Sequence, residues 1–336
     1  MRCRTNSFCL CVALFFASAF SLSAFGQDIA KHNRWTTALT FTNGGKQLII
    51  VGGESLQYRP GDVRIWDTAN GAQVAAFEGH PTNVWGVAAS ADGKTLITTG
   101  YDGKVIVWDI EQKKPKATLD KHKGWVRAVA LSKDEKRFAT GGEDGTVILW
   151  EVDGPKEVKS FKAHEQAIYA LAFAPDGTLA SGSTDKFAKL WDAAEGKEKA
   201  KLEGHEDAVW ALSWSADGNW LATAGADRKI KVRDKEGKEQ FALEGHKDWV
   251  SGVAFSPDGN WLASSSHDKT AKLWDVKEKK EAHTFGPAKS TNWCVGFSPD
   301  GALLAVGCHN EIHLYKTADK SEPFPPAKEE KPAEKK

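Results

Sequence analysis

The stretch from residue 245 to residue 275 reads GHKDWVSGVAFSPDGNWLASSSHDKTAKLWD and carries four signals in a fixed order. Gly245-His246 opens it, and an apolar run then leads to the turn Ser256-Pro257-Asp258-Gly259. A second apolar run leads to a tight turn at Asp268-Lys269, and a third run ends on Trp274-Asp275. Proline presets the backbone at the second turn position and glycine tolerates positive φ, which is hairpin chemistry. The stretch therefore predicts three short antiparallel β-strands.

The same pattern recurs through the rest of the chain. The residue that ends the third run comes back at steps of 42, 42, 41, 42, 41 and 41 residues, and a shorter, more polar run follows each copy. Seven units of four short strands, with a period of 40–45 residues, predict an all-β repeat protein. The seven residues that mark the period are Trp66, Trp108, Trp150, Trp191, Arg233, Trp274 and Tyr315.

With Gly-His openings and Trp-Asp endings in register, residues 27–318 resemble the WD-repeat family. The resemblance implies a seven-bladed β-propeller of four-stranded antiparallel blades. It also implies a buried hydrogen-bonded tetrad of His, Ser or Thr, Asp and Trp in each complete blade. Four or more identical buried copies favour a structural role over a catalytic triad, so we predict no catalytic residues. The complete tetrads are His80, Thr98, Asp102, Trp108; His122, Thr140, Asp144, Trp150; His164, Ser181, Asp185, Trp191; and His246, Ser264, Asp268, Trp274.

Three units depart from the pattern. The fifth keeps His205, Thr223 and Asp227 but has Arg233 in place of Trp, and we expect Arg233 to pair with Asp227. The first has Ile50 at the hydroxyl position, and the last has Val306, Asn310 and Tyr315 and lacks the histidine. Terminal repeats are commonly atypical, and these two meet where the ring closes. We predict that residues 27–31 close the last blade by pairing with its strand at 312–315.

The ends of the chain differ from the repeats in composition. Residues 1–26 combine Arg2 and Arg4 with an apolar run and small residues before Gln27, which predicts a signal peptide cleaved after Gly26. An uncleaved anchor is the alternative. We expect an exported protein, periplasmic or extracellular, with no membrane insertion after cleavage. The tail 319–336 is rich in Lys, Glu and Pro and is predicted to be disordered.

Composition and motifs exclude several kinds of site. Lys plus Arg and Asp plus Glu are equal at 45 each, so no basic excess favours nucleic acid. No cofactor motif occurs, and we predict no cofactor. His267 and His309, with Cys308 nearby, are conceivable metal ligands, but isolated surface histidines are more often simple polar contacts, so we predict no metal site. Cys294 and Cys308 flank one turn with a diagonal offset, which favours free thiols.

The side chains that vary between units point to a binding surface. Positions five residues after each opening histidine hold bulky aromatics in several blades, and the family resemblance places them on the top face around the channel, where we expect them to be substantially exposed to solvent. Tryptophan and tyrosine dominate binding hot spots. We therefore predict a monomeric, non-catalytic scaffold that binds a protein or peptide partner there; the alternatives are an exported propeller enzyme or a carbohydrate-binding module at the channel mouth. The predicted partner-binding residues are Trp85, Tyr101, Arg127, Tyr169, Trp210, His267 and Trp293.

Overall fold

A computed structural model describes residues 27–54 and 59–316. In this part of the chain the structure consists of β-strands joined by turns, with one 3-10 turn at Asn43–Gly45 and no α-helix. The predicted signal peptide, 1–26, and the predicted tail, 319–336, lie outside the described residues. The all-β prediction is confirmed.

Five separate sheets each contain four consecutive antiparallel strands in chain order. Each is one blade, and blades are numbered from the N-terminus. Blade 2 comprises β5 (Val84–Ala89), β6 (Thr95–Gly100), β7 (Val105–Asp109) and β8 (Lys114–Leu119); blade 3 comprises β9 (Val126–Leu131), β10 (Arg137–Gly142), β11 (Thr146–Glu151) and β12 (Glu157–Lys162). Blade 4 comprises β13 (Ile168–Phe173), β14 (Thr178–Ser183), β15 (Ala188–Asp192) and β16 (Lys197–Leu202). Blade 5 comprises β17 (Val209–Trp214), β18 (Trp220–Gly225), β19 (Ile230–Asp234) and β20 (Glu239–Leu243); blade 6 comprises β21 (Val250–Phe255), β22 (Trp261–Ser266), β23 (Ala271–Asp275) and β24 (Lys280–Phe285).

The sixth sheet holds blades 1 and 7, which share one strand. Its order is β25 (Asn292–Phe297), β26 (Leu303–Lys316), β1 (Gln27–Thr42), β2 (Gln47–Gly53), β3 (Gly61–Asp67) and β4 (Gln73–Glu78). The start of β1 pairs antiparallel with the end of β26, with Gln27 opposite Leu314 and Lys31 opposite Glu311. The rest of β1 pairs with β2 as the first strand of blade 1. The predicted closure of the ring by the N-terminal segment is therefore confirmed, and the blades number seven.

The first strands of the blades form a closed ring. Each contacts the first strand of the next blade, from β1 through β5, β9, β13, β17 and β21 to β25, which contacts β1 again. Apolar side chains fill the space between neighbouring blades. Between blades 3 and 4, for example, Leu149 packs with Ile168 and Leu179, and all three are buried. Burying such a side chain contributes about 1.5–3 kcal/mol, so each of these residues stabilises the contact between blades.

The turn between the first two strands of a blade is fixed by its own side chains. In blade 6 the hydroxyl of Ser256 donates to Asp258 Oδ1 at 2.6 Å, and the same oxygen accepts the backbone N–H of Asn260. Gly259 has φ +72°, a conformation that costs glycine little. The Ser-Pro-Asp-Gly signal thus forms a self-contained hairpin turn.

Candidate functional site: the channel mouth

Four blades contain a chain of hydrogen bonds that runs from a carboxylate to an indole. In blade 3, His122 Nδ1 lies 3.4 Å from Asp144 Oδ1, and His122 Nε2 lies 2.8 Å from Thr140 Oγ1. The indole Nε1 of Trp150 donates to the same hydroxyl at 2.9 Å. One arrangement of protons satisfies every group: Nδ1–H donates to the carboxylate, the hydroxyl donates to Nε2, and the indole N–H donates to the hydroxyl oxygen. The same chain joins His80, Thr98, Asp102 and Trp108; His164, Ser181, Asp185 and Trp191; and His246, Ser264, Asp268 and Trp274.

Two of the tetrad carboxylates, Asp144 and Asp268, are held in their charged form. Burial alone would raise the pKa of Asp144, but hydrogen bonds from His122 and from the backbone N–H groups of Lys123 and Thr146 lower it to about 2. The pKa of Asp268 is also lowered, with burial again opposing the shift and the hydrogen bond from His246 favouring it. The hydroxyls at the centre of the chains are completely buried. No substrate can reach them, which supports the structural interpretation of the tetrads.

In blade 5, where Arg233 replaces the tetrad tryptophan, the hydrogen bonds of Arg233 differ from our prediction. His205 keeps its contacts with Asp227 and Thr223, but Arg233 does not pair with the Asp227 carboxylate. Its guanidinium instead donates to the backbone oxygens of Gly237 and Glu203 and approaches Glu239 at 3.4 Å. The prediction of an Arg233–Asp227 pair was wrong because the long side chain passes the carboxylate, which His205 already occupies, and reaches backbone acceptors beyond it.

A β-bulge occurs at the same place in the first strand of every blade. In blade 2, Val84 pairs with Gly100 and Gly86 with Thr99, so Trp85 is the extra residue between them. A bulge re-aims the side chain of its extra residue. The seven bulge residues line one opening at the centre of the ring, which we call the channel mouth. They are Thr37, Trp85, Arg127, Tyr169, Trp210, Ser251 and Trp293.

Aromatic rings around the channel mouth contact one another in an unbroken series. We call this set the aromatic cluster. The contacts pass from blade 3 to blade 7 and on to blade 1, and successive ring centroids lie 4.5–5.5 Å apart. Edge-to-face and tilted pairs at such distances are favourable for aromatic rings. In order, the members are Trp125, Tyr169, Trp210, Trp249, His267, Trp293, Trp35 and His309.

Arg127 connects the remaining blade to this cluster. Its guanidinium carbon lies 4.8 Å from the ring centre of Trp85, 4.2 Å from that of Tyr169 and 5.1 Å from that of Trp210. These are cation–π distances. Burial lowers the pKa of Arg127 to about 10, while Tyr169 favours the charged form, so the side chain is a cation at neutral pH.

The structure brings six of the seven predicted binding residues together through their side chains. Trp85, Arg127, Tyr169, Trp210 and Trp293 line the channel mouth, and His267 packs 4.6 Å from Trp293. Tyr101 precedes the inner-turn aspartate of blade 2, as His267 does in blade 6, and its backbone N–H donates to Asn83 O. Their role in binding stays a prediction.

The bulge aromatics are less exposed than we expected. We expected substantial exposure, but the rings at these positions are half-buried because they pack against one another across the channel. The largest exposed aromatic surface of the described residues belongs instead to Trp249, which is 42% exposed. Trp249 contacts Trp210 and His267, so it forms the outer rim of the aromatic cluster. Its position two residues before the bulge is the signal that could have identified it.

The histidines weighed as metal ligands stack on indoles. The His309 ring lies 4.5 Å from Trp35, and burial lowers the pKa of both His309 and His267, so both are neutral at neutral pH. Cys294 and Cys308 are not joined by a disulfide, as the diagonal offset predicted. A different set, Cys308, Glu311 and His313, places one ligand atom from each residue within 4.8 Å of the others. Within it the Cys308 thiol donates to the backbone oxygen of Glu311, whose carboxylate also accepts from Lys289.

A larger cavity lies away from the channel mouth. It has a volume of about 490 Å³ between the hairpin turns of blades 3 and 4, and polar side chains such as Asp134, Arg137 and Lys199 line much of it. The channel mouth is smaller, about 170 Å³, but residues from all seven blades converge on it. We therefore place the candidate site at the channel mouth.

The fold and the tetrads together define the class of protein: a seven-bladed β-propeller built from Trp-Asp repeats. The family model of the WD domain, G-beta repeat, matches residues 71–109, 113–151, 155–192, 196–234, 237–275 and 280–316. These stretches cover well over half of the chain, so the protein belongs to the WD-repeat family. Five of the six stretches span the last strand of one blade and the first three strands of the next, and the sixth spans β24, β25 and β26. A comparison with curated proteins found no match.

No helix in the described part of the chain is long and apolar enough to cross a bilayer.

Proposed function

We propose that the protein is a non-catalytic scaffold that binds a protein or peptide partner through the aromatic cluster at the channel mouth. WD-repeat propellers commonly serve as protein-interaction scaffolds. The observation that carries the proposal is the bulge in every first strand. Seven equivalent backbone sites turn seven side chains toward one opening, and five of those side chains are aromatic or cationic. Aromatic residues and arginine are enriched among the residues that dominate binding energy.

The indole groups of the channel mouth support a surface that another molecule completes. The indole nitrogens of Trp85, Trp210 and Trp293 are buried without a hydrogen-bond partner. In contrast, the tetrad indoles at Trp108 and Trp150 all donate to a hydroxyl. Trp66 and Trp214, outside the lining of the channel mouth, also have unpaired indole nitrogens, so an unpaired indole does not by itself mark the site. A buried unpaired donor costs about 1–3 kcal/mol, and a partner that accepts from the three indoles of the channel mouth would recover that cost.

The site of action follows from the sequence alone. We propose that residues 1–26 direct export and are removed after Gly26, and that the propeller binds its partner outside the cytoplasm as a monomer. Fractionation of the producing cells, with N-terminal sequencing of the mature chain, tests both points. A chain that stays in the cytoplasm with Met1 intact would contradict them.

A paired comparison of variants tests the binding role. Trp85→Ala with Trp210→Ala should abolish capture of a cross-linked partner from the exported fraction, because the channel mouth loses two of its rings. The control is Trp220→Ala with Trp261→Ala, two half-buried indoles that pack against the cores between blades. The control should lower the melting temperature further than the channel variant does while keeping capture.

The two alternatives appear as distinct outcomes of the same experiment. If the channel variant loses as much stability as the control and keeps its partner, the cluster is packing and the proposal is wrong. If the intact chain retains glycans rather than polypeptides, the cluster is a carbohydrate-binding surface. Turnover of the captured molecule would instead make the protein an enzyme.

A further inference from the structure

Arg127 is a half-buried cation with no carboxylate beside it, unlike three lysines of the described residues that are also buried or half-buried. Lys272 Nζ lies 2.7 Å from Glu281, Lys189 Nζ lies 2.9 Å from Glu198, and Lys231 Nζ lies 2.9 Å from Glu239. Within residues 27–54 and 59–316, no acidic side chain comes within 4.0 Å of the Arg127 guanidinium. A buried charge normally requires a partner of opposite sign.

The aromatic rings do not replace that partner. A ring face offers no lone pair to the N–H donors of a guanidinium, which point outward in the plane of the group. Trp85, Tyr169 and Trp210 fix the side chain in place, and Tyr169 also favours its charged form through a side-chain hydrogen bond. None of the three is an anion, and the remaining N–H donors form the edge suited to a ligand. A carboxylate fits this edge because its two oxygens match two parallel N–H groups.

The channel mouth has room for such a ligand because two of the seven bulge residues are short. Thr37 and Ser251 turn their hydroxyls to backbone oxygens, at 3.1 Å from Val51 O and 2.8 Å from Asn292 O. The cavity of about 170 Å³ is therefore bounded by rings on some sides and by small side chains on others. Since one liquid water occupies about 30 Å³, the space holds one side chain or one chain terminus, not a whole peptide.

We propose that the guanidinium of Arg127 is the receptor for a carboxylate that an acidic peptide partner inserts into the channel mouth. This inference rests on the proposed function and names the chemistry of the partner. The carboxylate comes from an Asp or Glu side chain or from a C-terminus, and the exposed Trp249 at the rim contacts the peptide beside it. A phosphate is the poorer match, because phosphate groups are recognised by clusters of arginines and, among residues 27–54 and 59–316, Arg127 is the sole cation lining this opening.

The test is an NMR titration of the full chain that follows the indole N–H signals and the Nε–H signal of Arg127. Three peptides serve as probes: acetyl-Ala-Ala-Glu-Ala-Ala-amide, its Gln counterpart, and acetyl-pentaalanine with a free C-terminus. We expect the Glu peptide or the free carboxylate to shift the signals of Arg127 and Trp210 at up to about 20 mM, and the Gln peptide to bind at least about tenfold more weakly. The stronger of the two carboxylate probes identifies the source of the group.

Variants separate the role of the charge from that of the fold. Arg127→Met should lower the affinity for the tighter-binding carboxylate peptide by at least about tenfold. Arg127→Lys should retain part of that affinity because it keeps the charge. Arg137→Met is the matched control, since Arg137 is an exposed arginine of the same blade away from the channel mouth, and it should bind like the unchanged chain. Tetrad indole signals at Trp150 report whether each variant is folded.

Each other outcome overturns the inference. If the Glu and Gln peptides bind equally, or if Arg127→Met binds the Glu peptide undiminished, the partner needs no carboxylate; capture of a partner by the aromatic cluster would still stand. If inorganic phosphate shifts Arg127 at tenfold lower concentration than any peptide, the site is a phosphate receptor. If removal of residues 317–336 changes the Arg127 signal, the chain's own tail is the occupant. If no probe shifts it, Arg127 is no anion receptor.

Discussion

Replacing the tetrad hydroxyl in two different blades measures what one indole hydrogen bond contributes to stability. Thr140→Val in blade 3 keeps the shape of the side chain but removes the oxygen that Trp150 and His122 both contact. Thr223→Val in blade 5 removes the equivalent oxygen, which contacts His205 but receives no indole because Arg233 stands in that position. Both threonines are 0% exposed, so the two sites match in burial.

The expected cost follows from the number of groups left unpaired. A buried polar group without a partner costs about 1–3 kcal/mol. Thr140→Val leaves two such groups without a partner and should lower the free energy of unfolding by about 2–6 kcal/mol. Thr223→Val leaves one such group without a partner and should lower it by about half as much. Urea unfolding followed by circular dichroism gives both values, provided that the dependence on urea is the same for the two variants. A loss for Thr223→Val equal to or larger than that for Thr140→Val would refute the reasoning.

Two further predictions concern acid and the closure of the ring. Because the pKa of Asp144 is lowered from 3.8 to about 2, its charged form stabilises the fold above about pH 4, and this contribution of about 2 kcal/mol is lost as the pH falls from about 4 to about 2. Asp144→Asn should therefore be less stable than the unchanged chain at pH 7, with a gap that narrows by pH 2 in urea unfolding; a constant gap would contradict this. Removal of residues 1–31 exposes the edge of β26 at 311–314, so the melting temperature should fall and size-exclusion chromatography should show association through the free edge. An unchanged melting temperature and a single monomer peak would show that the N-terminal strand does not hold the ring closed.

The sequence predicts the tetrads well because a buried polar group must find its partner at a fixed place. Thr140 and Trp150 are ten residues apart on paired strands, and any other spacing would leave the indole unpaired. The pairing of residues 27–31 with β26 was predictable for a similar reason, since the last blade otherwise lacks its fourth strand. Blade number and closure are thus consequences of satisfying backbone and side-chain hydrogen bonds, which leave a regular trace in the sequence.

The geometry of the channel mouth is harder to predict from the sequence. The bulge at Trp85 is a one-residue change of register, and no residue type marks it, because glycine, alanine and cysteine all follow the bulge position in different blades. Arg233 donates to the backbone oxygens of Glu203 and Gly237. Because every residue has a backbone oxygen, the sequence does not indicate which of them an arginine will contact. The stacking of the rings depends on rotamers that neighbouring blades select together. Offset from the opening histidine located the site, but only the coordinates show which side chains touch.

Because the seven blades repeat around the channel, a single charged side chain is enough to make one side of the channel mouth different from the other. Seven bulges offer seven equivalent backbone positions, so differences between them lie in the side chains alone. Arg127 in blade 3 places a cation on one side of the opening, and the short residues Thr37 and Ser251 leave space in blades 1 and 6, on either side of blade 7. A carboxylate that binds Arg127 therefore has to enter from the side of blades 6, 7 and 1, where Trp249 forms the rim. Exchanging the residues at 127 and 251 should reverse that direction without altering the tetrads, because the ring supplies the same bulge at both positions.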